Sequence, residues 1–410
     1  ALAYFRSACR HINDSSLYWN DLGVTEMRLG DLKRARKRFK KALTIDPTFE
    51  IALENLNELI TYQQTDDDSI TQYQHTILQP KILSKDEFHL LNNWIFTQKE
   101  RNDPNINEKM EKILSEPFII HNAFDLFNLT NEKLTKIFNR QYLTTHYGTE
   151  IVDFYPQNMK NLDSYPYFLS LTPALRQLIN KPEEIYIDTD ISESGTCIQW
   201  NLNEYIWEKL INSQLAATIP GIFNDYYYLH DCLQPTTIRI QSMNTLYNQF
   251  LLATHWRMFL IGEQDCGMFF HSDTLHTSSY QLQILGSKKW HICSNNQSLL
   301  QQYDYSGKIN LFHLNYKKNK KFKNLICYEI IVRTGDILYY PTNYYHQTLN
   351  LETPSLSLSG SILNKYNYYE FKEEIKKECR GEGKIFLSSE YRELCEGLES
   401  CYLNWDRLWI

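Results

Sequence analysis

From His255 to Leu363 the chain is a succession of short β-type runs, at 255–262, 267–273, 278–285, 288–293, 327–333, 336–340, 344–350 and 355–363, with turn residues between several of them, notably Gly262, Gly286 and Thr334-Gly335-Asp336. Runs this short cannot bury a core singly. Spaced in this way they argue an all-β sandwich or barrel, of which a jelly-roll of two sheets is the economical form. With 42% hydrophobic residues among 410, there is enough apolar material to fill it and a second unit besides.

What flanks the β-runs reads differently. Trp19, Leu22, Gly23, Ala35, Phe39, Ala42 and Pro47 match the spacing of large and small residues in a tetratricopeptide repeat of about 34 residues. Ala1, Phe5 and Ala8 repeat the Ala35, Phe39 and Ala42 positions, and Leu53 and Leu56 repeat Trp19 and Leu22. Residues 1–64 therefore read as TPR-like helices, with further repeats expected before Ala1 because stacked repeats need neighbours; a plain helical hairpin is the alternative. The acidic stretch Thr65 to Ser69 marks a boundary, and residues 65–115 read as a helical connection. Residues 117–124 and 149–155 read as the opening strands of a β-domain spanning 116–363. Between them and the main β-runs lie helical stretches near 203–213 and 243–252, and the aromatic cluster from Asp225 to His230 reads as packing tyrosines or, alternatively, as a substrate groove. An insertion, 295–326, carries Lys317, Lys318, Lys320, Lys321 and Lys323, a solvated loop or a grip on an acidic substrate. Residues 364–410 close the chain with two helices, 366–380 and 388–402. The expected class is α+β.

The β-runs carry chemistry. His271 and Asp273 lie two apart, so on a strand both side chains point to one side of the sheet. With His346 they make a 2-His-1-carboxylate set, which binds one face of an octahedral ion and leaves positions open. His121, His276, His291 and His313 read as structural rather than ligating. Lys288, fifteen residues beyond Asp273, is placed to return beside the ligand strand, where an ammonium suits a carboxylate.

Gly286-Ser-Lys-Lys-Trp290 resembles the G-x-K-x-W turn of the jumonji-C (JmjC) oxygenases. Gly335-Asp336, Pro341 and Tyr345-His346, followed by Asn350-Leu-Glu, resemble the segment around that family's distal histidine. The resemblance covers roughly 117–363 and is closest, without a gap, from Trp256 to Trp290, where it follows the small JmjC protein hydroxylases. It implies a double-stranded β-helix in which His271, Asp273 and His346 hold Fe(II) and Lys288 pairs with the 5-carboxylate of 2-oxoglutarate. It further implies cosubstrate contacts from Asn350, from Tyr280 and Gln281, which replace a frequent tryptophan-asparagine pair, and from Ser359 or Ser357. Tyr345 stands where a tryptophan is usual. Hydroxylation of a protein side chain is the implied activity; methyl-lysine demethylation at the same site, a metal enzyme without 2-oxoglutarate, and an inactive JmjC/TPR binding module are the alternatives.

Charge and cysteine content bound the setting. A net charge of −7 and a pI near 6.0 give no general attraction to nucleic acid or an anionic membrane. No apolar run approaches the roughly 20 residues of a membrane span, and no leader precedes the first helices. Nine scattered cysteines, odd in number and without C-x-x-C pairs, argue against a disulfide framework and for a reducing, cytoplasmic or nuclear compartment. Three matches to the glycosylation pattern, at Asn13, Asn128 and Asn296, keep an endomembrane lumen as the alternative. The expected partners are a protein or peptide substrate, a protein held by the TPR-like helices, and a second copy through the apolar closing helices.

Overall fold

The computed structural model describes residues 15–28, 32–64, 76–94, 104–126, 138–155, 167–177, 195–212, 229, 233, 245–294, 300, 309–313, 322, 324–364, 366–382 and 392–409. Within them the strands are β1 (Thr76–Leu78), β2 (Lys81–Ile82), β3 (Phe118–Ile120), β4 (Ile151–Tyr155), β5 (Tyr167–Ser170), β6 (Cys197–Asn201), β7 (Arg257–Gly262), β8 (His271–Ser272), β9 (Ser278–Leu285), β10 (Ser287–Ser294), β11 (Ile326–Arg333), β12 (Ile337–Tyr340), β13 (Tyr344–Asn350) and β14 (Ser355–Ile362). They form a larger sheet in the order β2-β3-β12-β9-β14-β7-β6-β4-β5 and a smaller one in the order β1-β11-β10-β13-β8. This is the α+β, jelly-roll architecture expected from the sequence.

Alternation along the strands decides what each face of the larger sheet buries. Tyr280, Leu282 and Ile284 of β9, with Leu356 and Leu358 of β14, point outward into the main core. Helices α1 (Lys85–Trp94) and α2 (Pro104–Leu114) complete that core with Phe88, Leu91, Met110 and Ile113. The inward positions are polar: Ser279, Gln281 and Gln283 on β9, Ser355 and Ser357 on β14, all buried. Between the sheets only one end is apolar, where Trp290, Ile292, Ile330 and Val332 meet Ile119, Leu338 and Tyr340. Gly286, at φ +71°, makes the β9–β10 turn that sends Lys288 back across the sandwich, a backbone state open to glycine at little cost.

The flanking elements cover the remaining faces. Leu300, Leu311, Phe322 and Leu325 of the insertion pack on Phe270, Cys293, Cys327 and Tyr345, capping the outer face of the smaller sheet; its lysine run lies outside the described residues. Helices α3 (Leu246–Ala253), α4 (Tyr368–Cys379) and α5 (Arg392–Trp409) share a core of Tyr247, Phe250, Trp256, Phe371, Ile375, Leu394 and Leu398, so these apolar residues of the closing helices are covered within the chain. At the other end, helices Ser16–Arg28, Leu32–Ile45 and Glu50–Gln64 bury Ala35, Phe39, Ala42, Leu56 and Leu59. A Cβ at Gly23 would stand 2.6 Å from the Phe39 ring, which explains the glycine there. The cluster from Asp225 to His230 falls outside the described residues except at Leu229. No helix among the described residues is long and apolar enough to cross a membrane.

Two expectations are corrected. Residues 65–115 are not a purely helical connection: β1 joins the smaller sheet parallel to β11, and β2 the larger one parallel to β3. Three-residue and two-residue strands leave no periodicity to read. Among the described residues the cysteines are not free thiols. Cys197–Cys266, Cys293–Cys327 and Cys379–Cys395 are disulfides, with Cα atoms 5.8, 4.2 and 5.7 Å apart, and Cys401 is disulfide-bonded as well. Spacing along the chain concealed them because pairing is made by the fold; Cys293 and Cys327 are direct cross-strand partners on β10 and β11.

Alkylation of the unfolded, unreduced protein should accordingly leave Cys197, Cys266, Cys293, Cys327, Cys379, Cys395 and Cys401 unmodified until a reductant is added. Peptide mapping that finds Cys293 and Cys327 alkylated before reduction would contradict the pairing.

Candidate metal centre and cosubstrate pocket

His271 opens β8 and His346 sits in β13, and the two residues are direct antiparallel partners at the edge of the smaller sheet. Their rings lie 4.2 Å apart. Asp273 is not on the strand, as the His-x-Asp spacing alone predicts; it caps a single 3₁₀ turn, Thr274–His276, that turns its carboxylate back toward the imidazoles. Leu275 and His276 follow it at φ +62° and +50°, a left-handed state costly for such side chains. Leu275 is buried in the core of the closing helices, and His276 meets Asn343 at 3.2 Å and Glu374 at 3.8 Å. Those contacts hold the turn.

The atoms that face one another are fixed by their other bonds. His271 Nδ1 is 2.7 Å from the Phe269 carbonyl and His346 Nδ1 is 3.2 Å from the Tyr344 carbonyl, so each Nδ1–H donates to backbone and each Nε2 keeps its lone pair. Asp273 Oδ2 accepts from Ser279 Oγ at 2.6 Å and Tyr340 Oη at 3.1 Å. Oδ1 is left facing the two Nε2 atoms, at 3.7 and 3.6 Å. Among the described residues this is the His, Cys, Asp and Glu group with metal-holding geometry, its ligand atoms within 4.8 Å of one another.

Electrostatics agree with that role. Burial works to raise the Asp273 carboxyl, but His346, His271 and the two hydroxyls outweigh it and hold it below the ordinary carboxylate range. Burial, with the neighbouring His271, lowers His346 to about 4, so its imidazole is neutral at physiological pH. Burial and then the Asp273 charge push Tyr340 far up, keeping its hydroxyl a donor.

Lys288 lies deeper between the sheets, 4% exposed, with Nζ donating to Ser357 Oγ at 3.0 Å. Burial lowers it to about 7. It is the β10 partner of Asn350, whose Nδ2 donates to the Glu263 carbonyl at 3.1 Å. Gln281 also faces inward: its Nε2 donates to Gln283 Oε1, whose own Nε2 donates to the Leu285 carbonyl and to Ser355. That chain orients Gln281, leaving its Oε1 buried without a partner. Trp290 Nε1 is a buried donor without an acceptor.

Two of the sequence-based candidates are set apart. Tyr280 points to the outer core, its ring against Gly360, because it alternates with Gln281. Ser359 donates to the Tyr280 carbonyl at 3.3 Å, and it is Ser357 that meets Lys288. Of the other histidines, His291 pairs with Glu329 at 2.6 Å and His121 with Asp336 at 3.1 Å. Sequence reasoning missed Ser279 and Tyr340, the hydroxyls on Asp273; their signal was inward parity on β9 and β12.

Residues 235–371 match the family model of the JmjC domain. Over that stretch the chain carries a JmjC domain. A curated relative, the Arginine-specific demethylase JMJ20 of Arabidopsis thaliana, is 27% identical over 124 residues, 30% of this chain and 26% of that protein. The chain thus spans about a quarter of the length of the relative it matches. In this JmjC domain the imidazoles and the carboxylate lie at the edge of the smaller sheet and the ammonium between the sheets.

A lysine held near 7 in the fold and at 10.5 when unfolded binds fewer protons in the native state throughout that window, so stability rises with pH across it. The penalty is complete below about 7 and gone by 10.5. Urea unfolding of the protein without added anion should therefore show stability rising from pH 7 to 9. In Lys288→Met that rise should disappear, with a gain at pH 7 of roughly 3 to 5 kcal/mol. Equal pH slopes for both proteins would refute it.

Proposed function

We propose that this protein is an Fe(II)- and 2-oxoglutarate-dependent oxygenase that hydroxylates a protein side chain. The observation that carries the reading is the pairing of two features in one interior: three convergent donors, His271 Nε2, His346 Nε2 and Asp273 Oδ1, and a buried Lys288 ammonium that among the described residues meets only the Ser357 hydroxyl. Both fit the groups the family uses. Two imidazoles and a carboxylate leave half of an octahedral ion open, and Lys288 Nζ with Trp290 Nε1 are buried donors in want of an anion. When bound, iron and 2-oxoglutarate supply the oxidation: dioxygen gives one atom to a substrate C–H bond and one to the succinate formed as the keto acid loses carbon dioxide.

The chain's own residues do the rest. His271 and His346 would ligate through Nε2, held by the Phe269 and Tyr344 carbonyls. Ser279 and Tyr340 would keep Asp273 charged and turned, while Lys288 and Ser357 would anchor the far carboxylate of the dicarboxylate. The two sheets exclude water from that end.

Demethylation is the second reading, supported by the relative named as an arginine-specific demethylase, because hydroxylating an N-methyl group uses the same site. An inactive fold that works as a binding module, with the N-terminal helices gripping a protein partner, is the third. The paired cysteines favour an oxidising, endomembrane or extracellular setting over a cytoplasmic or nuclear one.

Purified protein supplied with Fe(II), ascorbate and 2-oxoglutarate should form succinate, at least a hundredfold faster than His271→Ala. Lys288→Ala should raise the 2-oxoglutarate concentration needed by tenfold or more. Succinate formation indifferent to iron or to His271 would overturn the oxygenase reading, and a Lys288→Ala variant with an unchanged requirement would overturn the anchor.

A further inference from the structure

The helix Leu32–Ile45 is strongly basic in an acidic chain. Seven of its fourteen residues, LKRARKRFKKALTI, are Lys or Arg and none is Asp or Glu, whereas the whole chain has a net charge of −7. Ala35, Phe39 and Ala42 are buried on one side of it, and the Arg38 guanidinium lies 5.3 Å over the ring of Trp19 on the preceding helix. Those contacts fix the side that meets solvent. From Arg34 onward its exposed residues are Arg34, Arg36, Lys37, Lys40, Lys41 and Thr44. At roughly 100° per residue the five cations cover an arc of about 160°.

That arrangement works against the helix. Arg36 and Lys40, like Lys37 and Lys41, are like-charge pairs at i,i+4, and Lys37 stands three residues from both Arg34 and Lys40. At these spacings side chains are neighbours on the helix surface, so like charges repel and destabilise it. Other helices of the chain answer their cations locally: Lys376 meets Glu373, Lys377 meets Glu374 and Arg392 meets Glu396. Arg36, Lys37, Lys40 and Lys41 make no ion pair among the described residues. Asp46, just beyond the helix, is turned to the amide and hydroxyl of Thr48. The repulsion is therefore left for an anion from outside to offset.

We propose that this helix face docks an acidic segment of a partner protein, its carboxylates lying along successive helical turns. The spacings agree. Cations four residues apart stand about 6 Å apart along the helix axis, and side chains on one side of an extended peptide recur about every 6.6 Å. Other polyanions are matched less well. The exposed arc offers no aromatic ring on which a base could stack and no apolar side chain to enter a bilayer. The disulfides point to an oxidising setting, away from nucleic acid. The choice of a protein over a sulfated polysaccharide rests on the oxygenase reading, under which the chain acts on a protein; the negative charge of the partner does not.

Its test is binding by the full chain at physiological salt, read by fluorescence anisotropy of a labelled ten-residue Glu-Ser repeat and of its Gln-Ser counterpart. Wild type is compared with the helix variant Arg36→Gln/Lys37→Gln/Lys40→Gln/Lys41→Gln. A control, Lys109→Gln/Lys112→Gln/Arg140→Gln/Arg176→Gln, removes the same charge at exposed positions elsewhere. Wild type and control should bind the Glu-Ser peptide at least tenfold more tightly than the Gln-Ser peptide, and the helix variant should lose that preference. Relieved of its repulsion, the helix variant should also unfold at the same or a higher temperature than wild type. A lower transition would show that the four cations already have a partner within the chain, and would overturn the proposal. So would equal binding of the two peptides by wild type, or a preference that the helix variant keeps. A heparin oligosaccharide or a phosphatidylserine vesicle bound tenfold more tightly than the Glu-Ser peptide, through the same four residues, would overturn the assignment to a protein. Succinate formation is scored separately: its absence sinks the oxygenase reading, while the basic face stands or falls on the peptide data.

Discussion

An ammonium buried between two sheets, with a single hydroxyl as its partner among the described residues, is the constraint around which the rest of the structure is arranged. Lys288 is there because the sandwich interior is not its main core. The larger sheet turns Tyr280, Leu282, Ile284, Leu356 and Leu358 outward against helices, and stability is gathered on that outer side. Its inner side is then free to carry Ser279, Gln281, Gln283 and Ser357, each of which would be a liability in an ordinary β-sandwich. The hydrogen bonds from Gln281 through Gln283 to Ser355 meet part of that cost. What is left unmet, at Lys288 and Trp290, is the demand that the proposed dicarboxylate would answer.

The same division of labour shapes the metal centre. The two imidazoles are set by strand pairing, the most rigid device the fold has, while the carboxylate hangs on a strained turn. That turn is held from outside the jelly-roll, by Leu275 in the core of the C-terminal helices. Those helices, which carry the Cys379–Cys395 disulfide, are therefore part of the apparatus that aims Asp273.

Much of this is legible in the sequence, and the reasons for the exceptions are physical. The β-runs, the turn at Gly286, the spacing from Asp273 to Lys288 and the segment around His346 are local patterns, and local patterns survive in sequence. The closing helices and the helix near Leu246 are legible for the same reason. Pairings made only by the fold are not. Cys197 meets Cys266 across 69 positions, and β1 and β2 are too short to show a period. Parity along a strand needs its register to within one residue, which is why Tyr280 is assigned to the wrong face; Ser357 and Ser359, two residues apart, share a parity, so the sequence leaves both open.

The central claim is that the triad and Lys288 form one compartment that binds iron and a keto acid together. The most direct measurement is anaerobic absorption spectroscopy of the Fe(II)-loaded protein titrated with 2-oxoglutarate. A visible charge-transfer band that saturates in wild type, needs much more keto acid in Lys288→Ala, and is absent in His346→Ala is the predicted result. Fe(II) that binds tightly yet gives no such band at any 2-oxoglutarate concentration would contradict it.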